Sequence, residues 1–271
     1  MTVTASDKRK VFRALHAEGF FVIPNPSDAG TAKLLQQLGF KALASTSAGL
    51  AWSLGKADNQ ITLDDVLAHL AALNAATDLP VNADFEGGFA DDPEAVAAHV
   101  ARAVATGIAG LSIENSRRGA ATPLYDDVQA VERIRAAKAA IDAAGGETLL
   151  VARCEGFLVG ERDLARTIAR LTAFAEAGAD CLYAPGLSTA EEIAAVVRAV
   201  APLPVNVLVG AAGPQLGMLA DLGVRRASVG GALTRAAFGG FLRAARALAA
   251  GDLSPLADGA PGGELNKAFG G

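Results

Sequence analysis

The chain has 271 residues, of which 51% are hydrophobic and only 5% aromatic, so it is long enough to form a sizeable, mainly aliphatic core. A formal net charge of -5, with basic residues scattered along the chain, excludes a basic surface for nucleic acid. No apolar run reaches the roughly 18 residues that a membrane span requires, and we therefore expect a soluble, cytoplasmic protein without nucleic-acid or membrane partners.

Short β-like runs alternate with amphipathic helical stretches after a helix predicted over residues 6–18. The strands are predicted at residues 20–25, 42–46, 81–84, 110–114, 149–153, 181–184, 205–209 and 227–230. The helices between them are predicted to begin at Asp28, Thr62, Asp92, Asp126, Glu161, Ser188, Pro214 and Thr234. Capping side chains support several of these starts, including Thr62 and the pair Ser188 and Glu191.

This alternation predicts the fold class. Strands joined by crossover helices run parallel, and repeated units without a break in composition favour a closed (β/α)8 barrel over an open doubly wound sheet. We expect one domain over residues 1–271, with the barrel at 20–250 and a tail rich in Gly and Pro at 251–271. The tail contains a helix candidate at 264–269 and is a candidate for packing on a neighbouring subunit.

Acidic residues follow the predicted strands at the end where barrel enzymes build their active sites. Asp58 follows the second strand, Asp84 and Glu86 lie at the end of the third, and Glu114 ends the fourth. Convergent carboxylates are the oxygen ligands that Mg2+ or Mn2+ prefers, so these four residues form the predicted metal site. For Asp58 alone, a solvated loop carboxylate or a helix cap is an alternative interpretation.

Substrate-binding groups are predicted at neighbouring strand ends. Arg153 ends the fifth strand and is suited to clamp a carboxylate with two hydrogen bonds, although an ion pair with Glu155 or Glu114 is the structural alternative. The hydroxyl-rich run that contains Thr46, Ser47 and Ala48 follows the second strand and is a candidate anion cradle or an ordinary loop. Asn206, in the seventh strand, is also assigned to substrate binding.

Histidine and cysteine chemistry is not expected. His16, His69 and His99 fall inside predicted helices, where we interpret them as helix-surface residues. Cys154 and Cys181 have no metal-type spacing and are predicted to be buried small hydrophobic residues. A serine nucleophile would therefore lack its base.

The motifs at the strand ends resemble those of the isocitrate lyase/phosphoenolpyruvate mutase superfamily over nearly the whole chain. The matching runs are Thr46-Ser47-Ala48-Gly49, Ser53-Leu54-Gly55 with Asp58, Asn82-Ala83-Asp84, Ile113-Glu114-Asn115 and Val151-Ala152-Arg153. The resemblance implies a (β/α)8 barrel, often with its last helix exchanged between subunits of a homo-oligomer, either a dimer or a tetramer. It also implies Mg2+ that binds an oxo acid and stabilises its enolate during cleavage of carbon–carbon or carbon–phosphorus bonds. Asp58, Asp84 and Glu114 would hold the metal, largely through waters, and residues 46–48 with Arg153 would bind the substrate carboxylate.

The sequence departs from the family pattern at three places. Asn82 stands where the family commonly has an aspartate, which leaves Glu86 as a substitute acid. Residues 85–89, Phe-Glu-Gly-Gly-Phe, replace the usual Thr-Gly-Tyr-Gly run. The loop after the fourth strand, residues 116–123, lacks the cysteine that acts in proton transfer in isocitrate and methylisocitrate lyases.

These observations leave three functional hypotheses. The first is a Mg2+-dependent lyase that acts on a small 2-oxo or 2-hydroxy dicarboxylate, by oxaloacetate decarboxylation or isocitrate lyase-like cleavage. The second is phosphonopyruvate-type chemistry at a carbon–phosphorus bond, and the third is a non-catalytic oxo-acid sensor. In the enzyme hypotheses Arg153, Glu114, Arg117 and Arg118 are the catalytic candidates, and residues 116–125 form a lid.

Overall fold

The computed structural model describes residues 3–117 and 121–270. It contains eight parallel strands in one sheet, in the order β1-β8-β7-β6-β5-β4-β3-β2. The strands are β1 Phe21–Ile23, β2 Leu43–Ala44, β3 Val81–Asp84, β4 Gly110–Glu114, β5 Leu149–Arg153, β6 Cys181–Tyr183, β7 Val205–Leu208 and β8 Arg226–Ser228. Crossover helices connect the strands, and the sheet curls into a nearly closed (β/α)8 barrel, which confirms the predicted fold class.

Each of the seven helices predicted between successive strands is present, and the eighth follows the last strand. The helices are α1 Ala5–Ala17, α2 Ala29–Gln37, α3 Ser47–Ser53, α4 Leu63–Ala76, α5 Pro93–Ala105, α6 Asp127–Ala143, α7 Leu164–Glu176, α8 Ala190–Val200, α9 Leu216–Asp221, α10 Ala232–Ala249 and α11 Gly262–Phe269. A 3-10 turn at Ser254–Asp258 lies between α10 and α11. No helix within the described ranges is both long and apolar enough to cross a bilayer.

Four of the predicted helix starts are confirmed, because their side chains cap the backbone as expected: Asp28, Thr62, Asp92 and Asp126. The others are displaced. Helix α7 is capped by Asp163 rather than Glu161, and α8 by Thr189, whose hydroxyl accepts from the N–H of Glu192, rather than by Ser188. Helix α9 follows Gln215, and α10 follows Gly231, three residues before the predicted Thr234.

The seam between β1 and β2 closes the barrel without a strand ladder among the described residues. The N–H of Ala44 donates to the Pro24 carbonyl over 3.0 Å, and the side chain of Asn25 spans the seam. Its Nδ2 donates to the Ser45 carbonyl at 3.0 Å, and its Oδ1 accepts from the N–H groups of Val229 and Gly230 at 3.0 and 2.9 Å. One side chain therefore joins three strand ends.

Helix α1 packs beneath the barrel at the N-terminal ends of the strands. Its Phe12 is fully buried, and His16 is only 7% exposed, so the prediction of a helix-surface histidine is wrong at this position. The Nδ1 of His16 lies 2.8 Å from the Phe12 carbonyl, and its Nε2 lies 3.2 Å from a guanidinium nitrogen of Arg226. Contact with Arg226 on β8, which is distant in sequence, explains why this histidine is buried. Both cysteines are free and buried, as predicted.

Helix α10 ends the barrel with most of its surface uncovered. Thr234 is its buried residue, whereas several large apolar side chains of α10 and the tail are exposed. The exposed side chains are Leu233, Phe238, Phe241, Leu242, Leu248, Leu253 and Leu256. Helix α11 instead packs on α2, where Gln37 donates to the Ala268 carbonyl at 2.7 Å.

Candidate active site

Arg153 lies at the centre of an acidic cluster at the C-terminal ends of β3, β4 and β5. The register pairs Arg153 with Glu114 on the neighbouring strand, and strand β3 ends beside them at Asp84. One guanidinium nitrogen, Nη1, is 3.4 Å from Asp84 Oδ1 and 3.4 Å from Glu114 Oε2, and Nε donates to Glu155. These side chains are at most 18% exposed. The structure thus brings together two predicted metal ligands and the predicted carboxylate-binding arginine.

The cluster has more acid than base. Burial by itself lowers the pKa of Arg153, but Glu114 and Glu155 outweigh it and hold that pKa well above its usual value. Burial raises the pKa of Glu155 to about 7, against the lowering effect of Arg153. Asp84 and Glu114 alone give two carboxylates for one guanidinium, so negative charge remains even when Glu155 is protonated.

A divalent cation fits this set of donors. Mg2+ retains several waters and commonly takes only one or two protein carboxylates, with substrate oxygens completing its shell. Among the residues that the structure describes, no three His, Cys, Asp or Glu side chains are arranged to hold an ion directly. Asp84 and Glu114 would therefore hold the ion mainly through its water shell, with their excess negative charge as the attraction.

The other two predicted ligands lie outside the cluster. Asp58 is exposed, and its carboxylate accepts from the N–H of Asn59 at 2.9 Å. Glu86 is only 2% exposed, has a left-handed backbone (φ 51°), and its carbonyl accepts from the N–H of Glu114 at 2.9 Å. It lines a cavity of about 370 Å3 together with Asn59 and Ser116. Their roles as ligands remain predictions.

The predicted anion cradle forms the start of helix α3 rather than a loop. Thr46 caps the helix, and its hydroxyl accepts from the N–H of Gly49. The N–H of Ser47 donates to Asp84 Oδ2 at 2.9 Å, and the hydroxyl of Ser45 accepts from the N–H of Asp84 at 2.8 Å. The helix start therefore orients Asp84, and anion binding by Thr46, Ser47 and Ala48 remains a prediction.

Asn206 lies deeper in the barrel than the acidic cluster. Its side chain is 1% exposed, accepts from Arg226 Nε at 2.9 Å and donates to Ser228 at 3.1 Å. Asn82 likewise directs its Oδ1 toward Arg226, at 3.3 Å. Neutral amides thus surround a buried arginine beneath the cluster. Substrate contact by Asn206 stays a prediction.

The segment after β4 folds back on itself, with an antiparallel bridge between Ser116 and Leu124. The hydroxyl of Ser116 donates to Glu114 Oε1 at 2.5 Å. The guanidinium of Arg117 lies 3.8 Å from Asp91 and 5.2 Å from the centre of the Tyr125 ring, and both of these residues line the cavity of about 370 Å3. Arg118 lies outside the described residues.

Sequence reasoning missed Tyr183 as part of the site, and it included Ser116 only as the first residue of the predicted lid. Tyr183 ends β6, pairs in register with Arg153, and its ring centre is 5.2 Å from that guanidinium. Its position at a strand end is the signal that would have identified it. No local pattern marks Ser116, because its contact with Glu114 depends on the fold of the segment after β4.

Comparison with protein-family models establishes the family of the chain. The model of phosphoenolpyruvate phosphomutase matches residues 12–249. The chain belongs to this family. It is an enzyme of the phosphoenolpyruvate mutase/isocitrate lyase superfamily, as its motifs predicted, and the sensor hypothesis is set aside.

Individual relatives match most of the chain. An oxaloacetate decarboxylase of Bradyrhizobium sp. is 32% identical over 253 residues, covering 88% of this chain and 83% of the relative. A solved structure of a putative lyase/mutase from Burkholderia cenocepacia is 50% identical and superposes with a TM-score of 0.95, covering 98% of both chains. A phosphonopyruvate hydrolase solved with oxalate and Mg2+ is 26% identical, with a TM-score of 0.86 and coverage of 97% and 95%.

Proposed function

We propose that this enzyme is a divalent-metal-dependent lyase for a small 2-oxo or 2-hydroxy dicarboxylate. The observation that carries the proposal is the contact of Asp84 and Glu114 with Arg153. These three side chains lie at the ends of neighbouring strands. The similarity to a protein named oxaloacetate decarboxylase supports this substrate class, and the oxalate and Mg2+ in the phosphonopyruvate hydrolase structure support the metal.

Each group in the cluster has a distinct proposed task. Asp84 and Glu114 would hold Mg2+ or Mn2+, with Glu86 and Asp58 as outer acids, and the metal would supply positive charge where the reaction develops an enolate. Arg153 binds the substrate carboxylate with its forked guanidinium. The start of α3, Thr46 to Ala48, borders this carboxylate, with Ser47 already holding Asp84 in place.

The bond changes follow from the substrate class. In oxaloacetate decarboxylation the bond between C3 and C4 breaks, C4 leaves as carbon dioxide, and the electron pair enters the enolate of pyruvate. A proton then adds at C3. The thiols do not supply that proton, because Cys154 and Cys181 are both fully buried.

Carbon–phosphorus chemistry is the second candidate. It is favoured by the match to the phosphomutase family model and by the likeness to a phosphonopyruvate hydrolase. In both reactions Arg153 would bind the carboxylate of an oxo acid, and Asp84 and Glu114 would hold the metal beside it. They differ in the group that leaves C3.

The deciding experiment offers the enzyme a panel of 2-oxo and 2-hydroxy dicarboxylates and phosphonopyruvate, with Mg2+, Mn2+ or a chelator, and identifies products by mass. We expect pyruvate or glyoxylate from a dicarboxylate only when metal is present. Full turnover after exhaustive chelation would disprove metal dependence. Turnover of phosphonopyruvate alone would select the second candidate.

We further propose that the enzyme works in the cytoplasm as a homo-oligomer, a dimer or a tetramer. The free, buried cysteines agree with a reducing compartment. The exposed apolar side chains of α10, which include Phe241 at 66% exposure, support burial against another copy of the chain.

A further inference from the structure

A second large cavity opens on the β6 to β8 side of the barrel mouth, away from Glu86 and Ser116. Its volume is about 430 Å3, within the range of small-molecule sites. Its side-chain walls are largely apolar: Trp52, Leu158, Leu187, Leu208, Val209 and Pro214. Arg235, an exposed residue of α10, is the charged group among its lining residues. We name this cavity the apolar annex.

The apolar annex adjoins the acidic cluster. Gly230 lines both the annex and the small cavity of about 50 Å3 that contains Asp84 and Arg153. Trp52 lies on α3, the helix whose first residue, Ser47, donates to Asp84. Leu158 lies five residues after Arg153 in the same loop after β5. The annex and the cavity at Arg153 therefore meet at Gly230.

Two glycines let the walls approach the main chain at this junction. A Cβ at Gly230, where φ is +53°, would lie 3.3 Å from Leu208 Cδ1. A Cβ at Gly231 would lie only 2.8 Å from Trp52 Cζ3. Leu208 and Trp52 thus occupy the space that side chains at residues 230 and 231 would take, and they present hydrocarbon surface toward the junction.

The chemistry of the annex selects against a second carboxylate. An anion moved from water onto leucine, valine and tryptophan surfaces would lose its hydration without gaining a buried cation. An alkyl group would instead remove apolar surface from water. Leu158, for example, is 51% exposed without a ligand.

We propose that the apolar annex binds an alkyl substituent of the substrate while the oxo-acid head lies on Arg153 and the metal. The substrate class is then a 2-oxo or 2-hydroxy acid that carries a hydrocarbon branch or chain beyond the reacting carbon. This inference rests on the proposed function, because that function places the head group.

Binding of non-reacting probes separates the two proposals. Calorimetry in Mg2+ would compare oxalate, 2-oxobutyrate, 2-oxohexanoate and 2-oxoadipate, the last two matched in length and different in their ends. We expect 2-oxohexanoate to bind about tenfold tighter than 2-oxobutyrate, from about 0.8 kcal/mol per buried methylene, and also tighter than 2-oxoadipate. Failure of oxalate to bind would overturn the proposed function. Oxalate binding without a gain from the longer alkyl chain would overturn only the annex.

Variants and fluorescence locate the alkyl chain. Leu158→Asn should remove most of the preference for 2-oxohexanoate and leave oxalate affinity unchanged, whereas Leu38→Asn, at a leucine 74% exposed elsewhere, should change neither. Trp52 is the single tryptophan of the chain, so the emission of the wild-type protein reports on the annex without any substitution. Saturating 2-oxohexanoate should shift that emission to shorter wavelength relative to saturating 2-oxobutyrate. Identical spectra, or an unchanged preference in folded Leu158→Asn, would overturn the proposal.

Discussion

Asp84 contacts both the start of helix α3 and the guanidinium of Arg153. One carboxylate oxygen accepts from the Ser47 N–H, and the other faces Arg153 at 3.4 Å. We expect Asp84→Ala to weaken Mg2+-dependent oxalate binding at least a hundredfold, because half of the paired acid is removed, while the melting temperature changes little.

The control for this variant is Asp142→Ala, which removes a carboxylate from an exposed pair with Lys138 on helix α6. It should bind oxalate normally. Calorimetry and thermal denaturation give both readouts. Normal oxalate affinity in Asp84→Ala, or loss of its fold, would show that the assignment of Asp84 is wrong.

Single residues differ in how far their sequence context predicts their role. Asp84, Glu114 and Arg153 are each the last residue of a strand, and the structure places all three together. Asn206 also lies in a strand, but its partner Arg226 is 20 positions away, and no local pattern reveals that pairing. Such contacts depend on barrel closure rather than on any one segment.

His16 on helix α1 makes the stability of the fold depend on pH. Burial, aided by the charge of Arg226, lowers the pKa of His16 from 6.5 to about 3. Unfolded chains take up this proton near pH 6.5, whereas the folded protein does so only near pH 3. The stability due to neutral His16 is therefore complete above pH 6.5 and is lost as the pH falls toward 3.

We expect His16→Gln to flatten the fall in unfolding free energy between pH 6.5 and pH 4, by up to about 1.4 kcal/mol per pH unit. Urea titrations at several pH values measure this slope. The matching variant Leu38→Gln, at an exposed leucine after α2 that carries no titratable group, should retain the wild-type slope. Equal slopes in the wild type and His16→Gln would contradict the argument.

The predicted lid at residues 116–125 can be tested by comparing its amide exchange with and without bound ligand. Its described ends are joined through Ser116 and Leu124, and Arg117 contacts Asp91 rather than the acidic cluster. If it is a lid, amide exchange there should slow when Mg2+ and an oxo acid bind together, and Arg117→Ala with Arg118→Ala should lower kcat. If amide exchange is the same with and without ligand, and the double variant turns over normally, the segment is an ordinary solvated loop.

At the scale of elements, periodicity and glycine punctuation were sufficient to place all eight strands. Helix α3 was missed because its seven residues follow a hydroxyl-rich run that is equally typical of a loop. The displaced helix starts have a similar cause. Adjacent residues such as Ser188 and Thr189 are both good caps, and only the path of the chain selects Thr189.

The whole molecule presents an apolar face along α10. We expect a homo-oligomer to bury this face, so Phe241→Ser with Leu242→Ser should shift the protein toward monomer in light scattering after gel filtration. Leu38→Ser, at an exposed leucine after α2, serves as the control. A monomeric wild type, or an unchanged mass in the double variant, would show that this face does not join subunits.

The seam between β1 and β2 has a consequence for how the enzyme fails on heating. Asn25 joins the ends of the barrel wall where a ladder is lacking among the described residues, and α3, which holds Asp84 through Ser47, begins directly beyond that seam. Slight parting of the seam would move Asn25 and Gly230 away from Ser45 and Asp84, which line the same small cavity as Arg153, while the ladders from β2 round to β8 and β1 stay intact. Catalysis would then be lost several degrees below the main melting transition, and it would return on cooling.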